Sequence, residues 1–82
     1  MNINQNVNIS GVVTIKVNDK DVPALNLSAN IDTLNKNCAM AITTLNKDLV
    51  NADTAAEIQK QIDEFKVYVQ GKAKELGFAV VL

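Results

Sequence analysis

The chain of 82 residues contains no histidine, no arginine and no tryptophan. Histidine is the commonest general base and metal ligand, and arginine supplies the bidentate fork that recognises phosphate and guanine. The three glycines are scattered rather than gathered in a phosphate-binding loop, and no serine lies in a nucleophile elbow. The sequence therefore predicts a protein that is not an enzyme, with no catalytic residue, no cofactor and no metal site.

Cysteine is almost as scarce, because Cys38 is the only one in the chain. A single cysteine forms neither an internal disulfide nor a cysteine-based zinc site, and it fits a reducing compartment. The sequence also lacks a run of about eighteen apolar residues and a basic N-terminal segment followed by an apolar stretch. These absences predict a cytoplasmic protein that does not span a membrane.

Net charge is small, since eight lysines stand against nine acidic residues and leave a formal charge of -1. A protein with so weak a field does not attract nucleic acid, and the lysines of the last predicted helix are interleaved with glutamine and glutamate as on a solvated face. We therefore expect no nucleic-acid partner. The eleven asparagines and the use of lysine instead of arginine suggest AT-rich coding DNA, as in a low-GC bacterium or its phage. The cytoplasm would then be bacterial, belonging to the host if a phage encodes the protein.

The pattern that is present begins with a β segment at about residues 2–27, where apolar side chains alternate with polar ones. A hairpin at Ser10-Gly11 would pair apolar with polar residues, so we expect either one continuous strand with a bulge at the glycine or a loop of odd length. A second turn follows at Asn18–Asp21. A three-residue loop there would place Ile15 opposite Leu25.

Two helices are predicted after this segment. Between about residues 30 and 50, the apolar residues follow a helical period and place Cys38, as a small hydrophobe, in the middle of a buried stripe. This stripe consists of Ile31, Leu34, Cys38, Ile42, Leu45 and Leu49. Between about residues 54 and 76, Thr54 and Glu57 match a capping box, and Gly77 is suited to end the helix. The last five residues, about 78–82, suit a final strand. The stripe of the second helix is predicted from its spacing to be Ile58, Ile62, Phe65, Val69, Ala73 and Leu76.

The predicted fold is α+β and forms a single domain over residues 1–82, with elements in the order β-β-α-α-β. A small antiparallel sheet, made of the N-terminal strands and the C-terminal strand, packs against an antiparallel pair of helices. A chain of this size builds only a marginal hydrophobic core, which favours a homo-oligomer.

Without reactive groups, the sequence favours a non-catalytic protein-binding or inhibitory module that acts by occupying a partner's surface, through an edge strand or a helix face. Two alternatives stay open: a self-assembling scaffold protein in which the N-terminal strand pairs with another copy, and an oligomer that sequesters a small molecule. Apolar residues in the N-terminal strand or off the predicted helical stripes form the candidate interface. They are Ile3, Val7, Ile9, Met40, Val67 and Tyr68.

Overall fold

A computed structural model describes residues 5–82 as a three-stranded antiparallel sheet with one long helix on one face. The molecule measures 53 × 19 × 18 Å, because the long strands and the helix run along the same direction. The sheet order is β1-β2-β3, so each strand pairs with its neighbour in the chain. The elements are β1 (Asn6–Val17), β2 (Lys20–Asp32), β3 (Asn37–Thr44), a short 3₁₀ helix (Lys47–Leu49) and α1 (Ala55–Glu75).

The turn between β1 and β2 is one residue shorter than the sequence predicted. Val17 pairs with Lys20, which leaves Asn18 and Asp19 as a two-residue loop with φ angles of 52° and 64°. Positive φ at both positions is typical of a type I′ turn, whose twist matches that of the strands it joins. Asparagine and aspartate adopt this conformation more readily than most residues, which explains why the turn forms here.

A register shift between Val13 and Thr14 brings the apolar residues of the two strands back onto one face. Val13 pairs with Leu25 and Thr14 with Pro23, so Ala24 is an extra residue in β2, and both Ala24 and Leu25 are buried. The predicted pairing of Ile15 with Leu25 was wrong, since Ile15 lies opposite Val22.

β1 is one continuous strand, and Gly11 lies in regular register opposite Leu27 rather than in the predicted bulge. A Cβ atom at this position would lie 3.1 Å from a ring carbon of Phe65. The glycine therefore permits α1 to approach β1 closely, instead of bending the strand.

The predicted helix at 30–50 does not form, and its residues instead complete β2, make a turn and form β3. Cys38, Met40 and Ile42 alternate along β3 on the face that α1 covers, opposite Ile31, Ala29 and Leu27. Asn35, Lys36 and Asn37 favour a turn, and Lys36 has a φ of 54°. β-branched residues at Ile42, Thr43 and Thr44 further favour a strand over a helix.

The second predicted helix is present as α1, and Gly77 follows its end with a φ of 96°. The predicted capping box was wrong, because the Thr54 side chain makes no hydrogen bond to the first turn of the helix. Its hydroxyl donates to the Leu49 carbonyl at 2.6 Å, while the Glu57 carboxylate accepts from Gln61 at 3.0 Å. Thr54 therefore anchors the loop before the helix.

The predicted C-terminal strand is absent, and the last residues pack as an extended tail. The Phe78 amide donates to the Ala73 carbonyl, which turns the chain back against the end of the helix. Phe78, Val80 and Leu82 contact the core, whereas Val81 points into solvent. Every second side chain of the tail is thus partly buried without a ladder of backbone hydrogen bonds.

The hydrophobic core lies between α1 and the sheet and consists of two clusters joined by Phe65. The first surrounds Val13, Leu25, Leu27, Ile58 and Ile62. The second surrounds Ala29, Ile31, Val69 and Ala73. Four of the six stripe residues predicted for this helix are buried; Phe65 is half-buried and Leu76 is exposed.

Candidate functional site

The outer edge of β1 is bonded at one residue, Thr14, by a side chain from α1. Gln61 accepts a hydrogen bond from the Thr14 amide at 3.1 Å and donates one to the Thr14 carbonyl at 2.9 Å. A carboxamide carries one acceptor and one donor group, so it reproduces the pair of bonds that a neighbouring strand would make. Glu57 accepts a third bond from Gln61 and holds the amide in place. A strand cannot add to β1 at Thr14 without displacing Gln61.

Within residues 5–82, no comparable hydrogen bond reaches the outer edge of β3. The Leu45 amide donates to the Ala24 carbonyl of β2, which establishes which peptide groups point inward. Backbone groups alternate in direction along an antiparallel strand, so those of Cys38, Met40, Ile42 and Thr44 point away from β2. We call this outward row of amides and carbonyls the β3 edge. It is a template for one further strand.

The side chains of β3 do not protect this edge. Asn37–Thr44 contains no charged residue and no proline, the devices that usually blunt an edge strand. α1 packs over β1 and β2, and Ile42 remains 52% exposed on the same face of the sheet. Leu45, just beyond the strand, is also exposed. An incoming strand would therefore meet both free backbone groups and apolar side chains.

The other face of the sheet, which α1 does not cover, is polar. Asn8 and Ser10 of β1 lie beside Asn30 and Ser28 of β2, and the Asn30 amide donates to Asn8 at 2.6 Å. With Ala39 and Ala41 of β3, these residues line a shallow groove of about 450 Å³. Its polar groups are amides and hydroxyls, which donate and accept hydrogen bonds but carry no charge.

The residues of the predicted interface are not brought together. Val7, Ile9 and Met40 are half-buried on the covered face and contribute to the core. Val67 and Tyr68 lie on α1 and are 67% and 63% exposed, away from the sheet. Ile3 lies outside the described residues. The sequence analysis did not single out Ile42, which it placed in the supposed helical stripe, or Gln61, for which the sequence offers no signal.

The sequence predicted Cys38 in the middle of a helix, but the residue lies at the start of β3. It faces Ile31, is half-buried, and contacts the second core cluster. Burial raises the pKa of its thiol, because the thiolate is less well solvated there. This environment keeps the sulfur protonated and favours packing over reactivity.

Within residues 5–82, no group of three or more acidic or cysteine side chains could hold a metal ion. In the same part of the chain, no helix has the length and apolar character needed to cross a bilayer. Comparisons with protein-family models, with curated proteins and with solved structures found no match.

Proposed function

We propose that the protein is a non-catalytic binding module that holds a protein partner by strand addition at the β3 edge. The observation that carries the proposal is the contrast between this edge, uncharged and uncovered, and the edge of β1, which Gln61 closes at Thr14. In strand addition, backbone hydrogen bonds supply affinity and alternate side chains supply selectivity.

This mode of binding needs no reactive group, which agrees with the absence of histidine and arginine. The side chains that would select a partner are those of Met40 and Ile42 on the covered face, with Ala39 and Ala41 on the polar face. These side chains match a partner strand that is apolar on one side and has small residues on the other. Inhibition of a partner would follow if that strand belongs to its working surface.

The alternative of a scaffold in which the N-terminal strand pairs with another copy has less support. β1 pairs with β2 over its whole length, from Asn6 opposite Asp32 to Val17 opposite Lys20. One side of β1 is thus occupied within the chain, and the other is closed at Thr14.

The test compares two lysine variants in affinity purification from the cells that produce the protein. Ile42→Lys places a charge on the β3 edge, and Val12→Lys is the matched control, because Val12 is 51% exposed on β1. We expect a stoichiometric partner to be retained by the wild type and the control and lost by Ile42→Lys. Amide hydrogen exchange in the complex should slow at Met40 and Ile42.

A partner retained equally by Ile42→Lys, without protection of those two amides, would exclude the β3 edge as the binding site. Circular dichroism and thermal melting of both variants exclude loss of folding as the cause. If wild-type protein recovers no stoichiometric partner, including an untagged copy of itself, the binding function is wrong.

A further inference from the structure

We infer that the β3 edge pairs with the β3 edge of a second copy, antiparallel and about a two-fold axis at Ala41, to form a continuous six-stranded sheet. This inference rests on the proposed function, since it names the partner of the same edge. The observation behind it is that β3 is complementary to itself.

The backbone favours this register over its neighbours. Opposite residues of an antiparallel pair share a face, and with Ala41 on the axis Met40 lies opposite Ile42 and Cys38 opposite Thr44. These are the residues whose amides and carbonyls point outward. All of them are then paired, which gives about eight hydrogen bonds across the axis. If the two β3 strands were shifted by one hydrogen-bonded pair in either direction, one outward residue of each strand would lie opposite a residue outside the other β3.

The side chains match as well. On the covered face, Met40 of each copy meets Ile42 of the other, and the exposed half of Ile42 gains an apolar neighbour. On the polar face, Ala41 meets its own counterpart, and Ala39 meets Thr43, so only small side chains approach one another. Each β3 brings no charge into the contact, and the whole chain has a net charge of only -1, so repulsion between copies is weak.

The position of α1 leaves space for the second copy. A helix is about 10 Å wide and strands lie about 4.8 Å apart, so one helix covers about two strands. α1 lies over β1 and β2, and the third strand is left at the margin. A second sheet therefore continues the first beyond β3 without meeting the helix.

The first measurement is the mass of the protein in solution by sedimentation, across a range from about 1 μM to about 1 mM. We expect the wild type to shift to a dimer as concentration rises. Ile42→Pro removes an outward amide from each copy without removing a donor to β2, and it should raise the dimer dissociation constant about tenfold or more. Val12→Pro makes the same change on β1 and should leave the dimer intact.

The second measurement tests the register by crosslinking in a Cys38→Ser background, where any introduced cysteine is the only one. Ala41→Cys places two thiols across the axis, in a non-hydrogen-bonded pair with Cα atoms about 4.5 Å apart, close enough for a disulfide. Oxidised glutathione should convert them to a disulfide, with two equivalents of reduced glutathione released. Thr43→Cys is the control, because its two copies lie roughly 13 Å apart and should remain reduced.

The outcomes separate this inference from the proposed function. A wild type that stays monomeric across the whole range overturns the dimer, while a different partner that depends on Ile42 still supports strand addition. A dimer that survives Ile42→Pro and is lost in Val12→Pro overturns both, since the contact would then lie on β1. A dimer lost in Ile42→Pro in which Thr43→Cys crosslinks and Ala41→Cys does not overturns the register centred on Ala41.

Discussion

The β1 edge and the β3 edge bound the same sheet, yet they end in different ways. At Thr14, the backbone of β1 is bonded to Gln61, and α1 lies close above Gly11. On β3, Ile42 is half exposed and the backbone faces outward. The difference follows from size, because a single helix covers about two strands and residues 5–82 contain one helix of this length. The β1 edge is bonded within the chain at Thr14, whereas among residues 5–82 no such bond reaches the outer side of β3.

The largest expected effect compares two residues in one row across the sheet. Gly11, Leu27 and Ile42 lie side by side, but Leu27 is 2% exposed under α1. Leu27→Ala should lower the free energy of unfolding by about 2–5 kcal/mol, since it leaves a cavity in the core. Ile42→Ala should cost about 1 kcal/mol or less, because water already reaches half of the side chain. Urea denaturation at low protein concentration measures both.

Equal losses for the two variants would mean that β3 is as well covered as β2, which would remove the contrast between the edges. Measuring the stability losses of both variants again at high protein concentration makes the contrast between the edges clearer. If β3 pairs with a second copy, the cost of Ile42→Ala should then rise while that of Leu27→Ala stays the same.

The sequence supported α1 well because local signals agree along that segment. Ile58, Ile62, Val69 and Ala73 follow the helical period, and Gly77 ends it. The residues of the supposed helix at 30–50 also follow a helical period, but a strand-like alternation that continues from the β segment competes with it. Leu25, Leu27, Ala29 and Ile31 continue the alternation of the β segment, and β1 was already long enough to pair with all of them. A pairing between distant residues therefore overrode a local pattern.

The candidate site was harder to predict than the fold. An open edge is a property of which strands exist and where the helix lies, and neither follows from the residues of β3 alone. The absence of charge between Asn37 and Thr44 is visible in the sequence, but within a supposed helix it carried no meaning. Gln61 was one glutamine among several, and only the packing of α1 brings it to Thr14.

A smaller effect is expected from opening the closed edge. Gln61→Ala removes both bonds to Thr14 and should lower the free energy of unfolding by about 1 kcal/mol, since water then solvates the exposed peptide. The Thr14 amide should also exchange its hydrogen faster. Gln59→Ala is the control, because the bond that it removes joins Gln59 to Asp63 on the helix surface, away from β1. If both variants lose the same stability and Thr14 exchange is unchanged, Gln61 does not close the edge.

The smallest effect concerns the turn that carries β3. The Asp32 carboxylate accepts hydrogen bonds from the side-chain amide of Asn35 at 2.8 Å and from the backbone amides of Asn35 and Leu34. These bonds favour the ionised carboxylate and hold the pKa of Asp32 below its ordinary value of 3.8. The bond from the side chain of Asn35 contributes most to this lowering.

Because the folded pKa is lowered, this stabilisation is complete above pH 3.8 and is lost as the pH falls through the folded pKa. Asp32→Asn keeps a side-chain oxygen for the backbone amides but has no charge to lose. We expect the wild type to be slightly more stable than this variant near neutral pH, and the difference to disappear in acid. Thermal melting across pH measures it, with the Asp32 titration followed by NMR. A stability difference that is independent of pH would show that the carboxylate charge does not hold the turn, leaving β3 attached through its ladder to β2 alone.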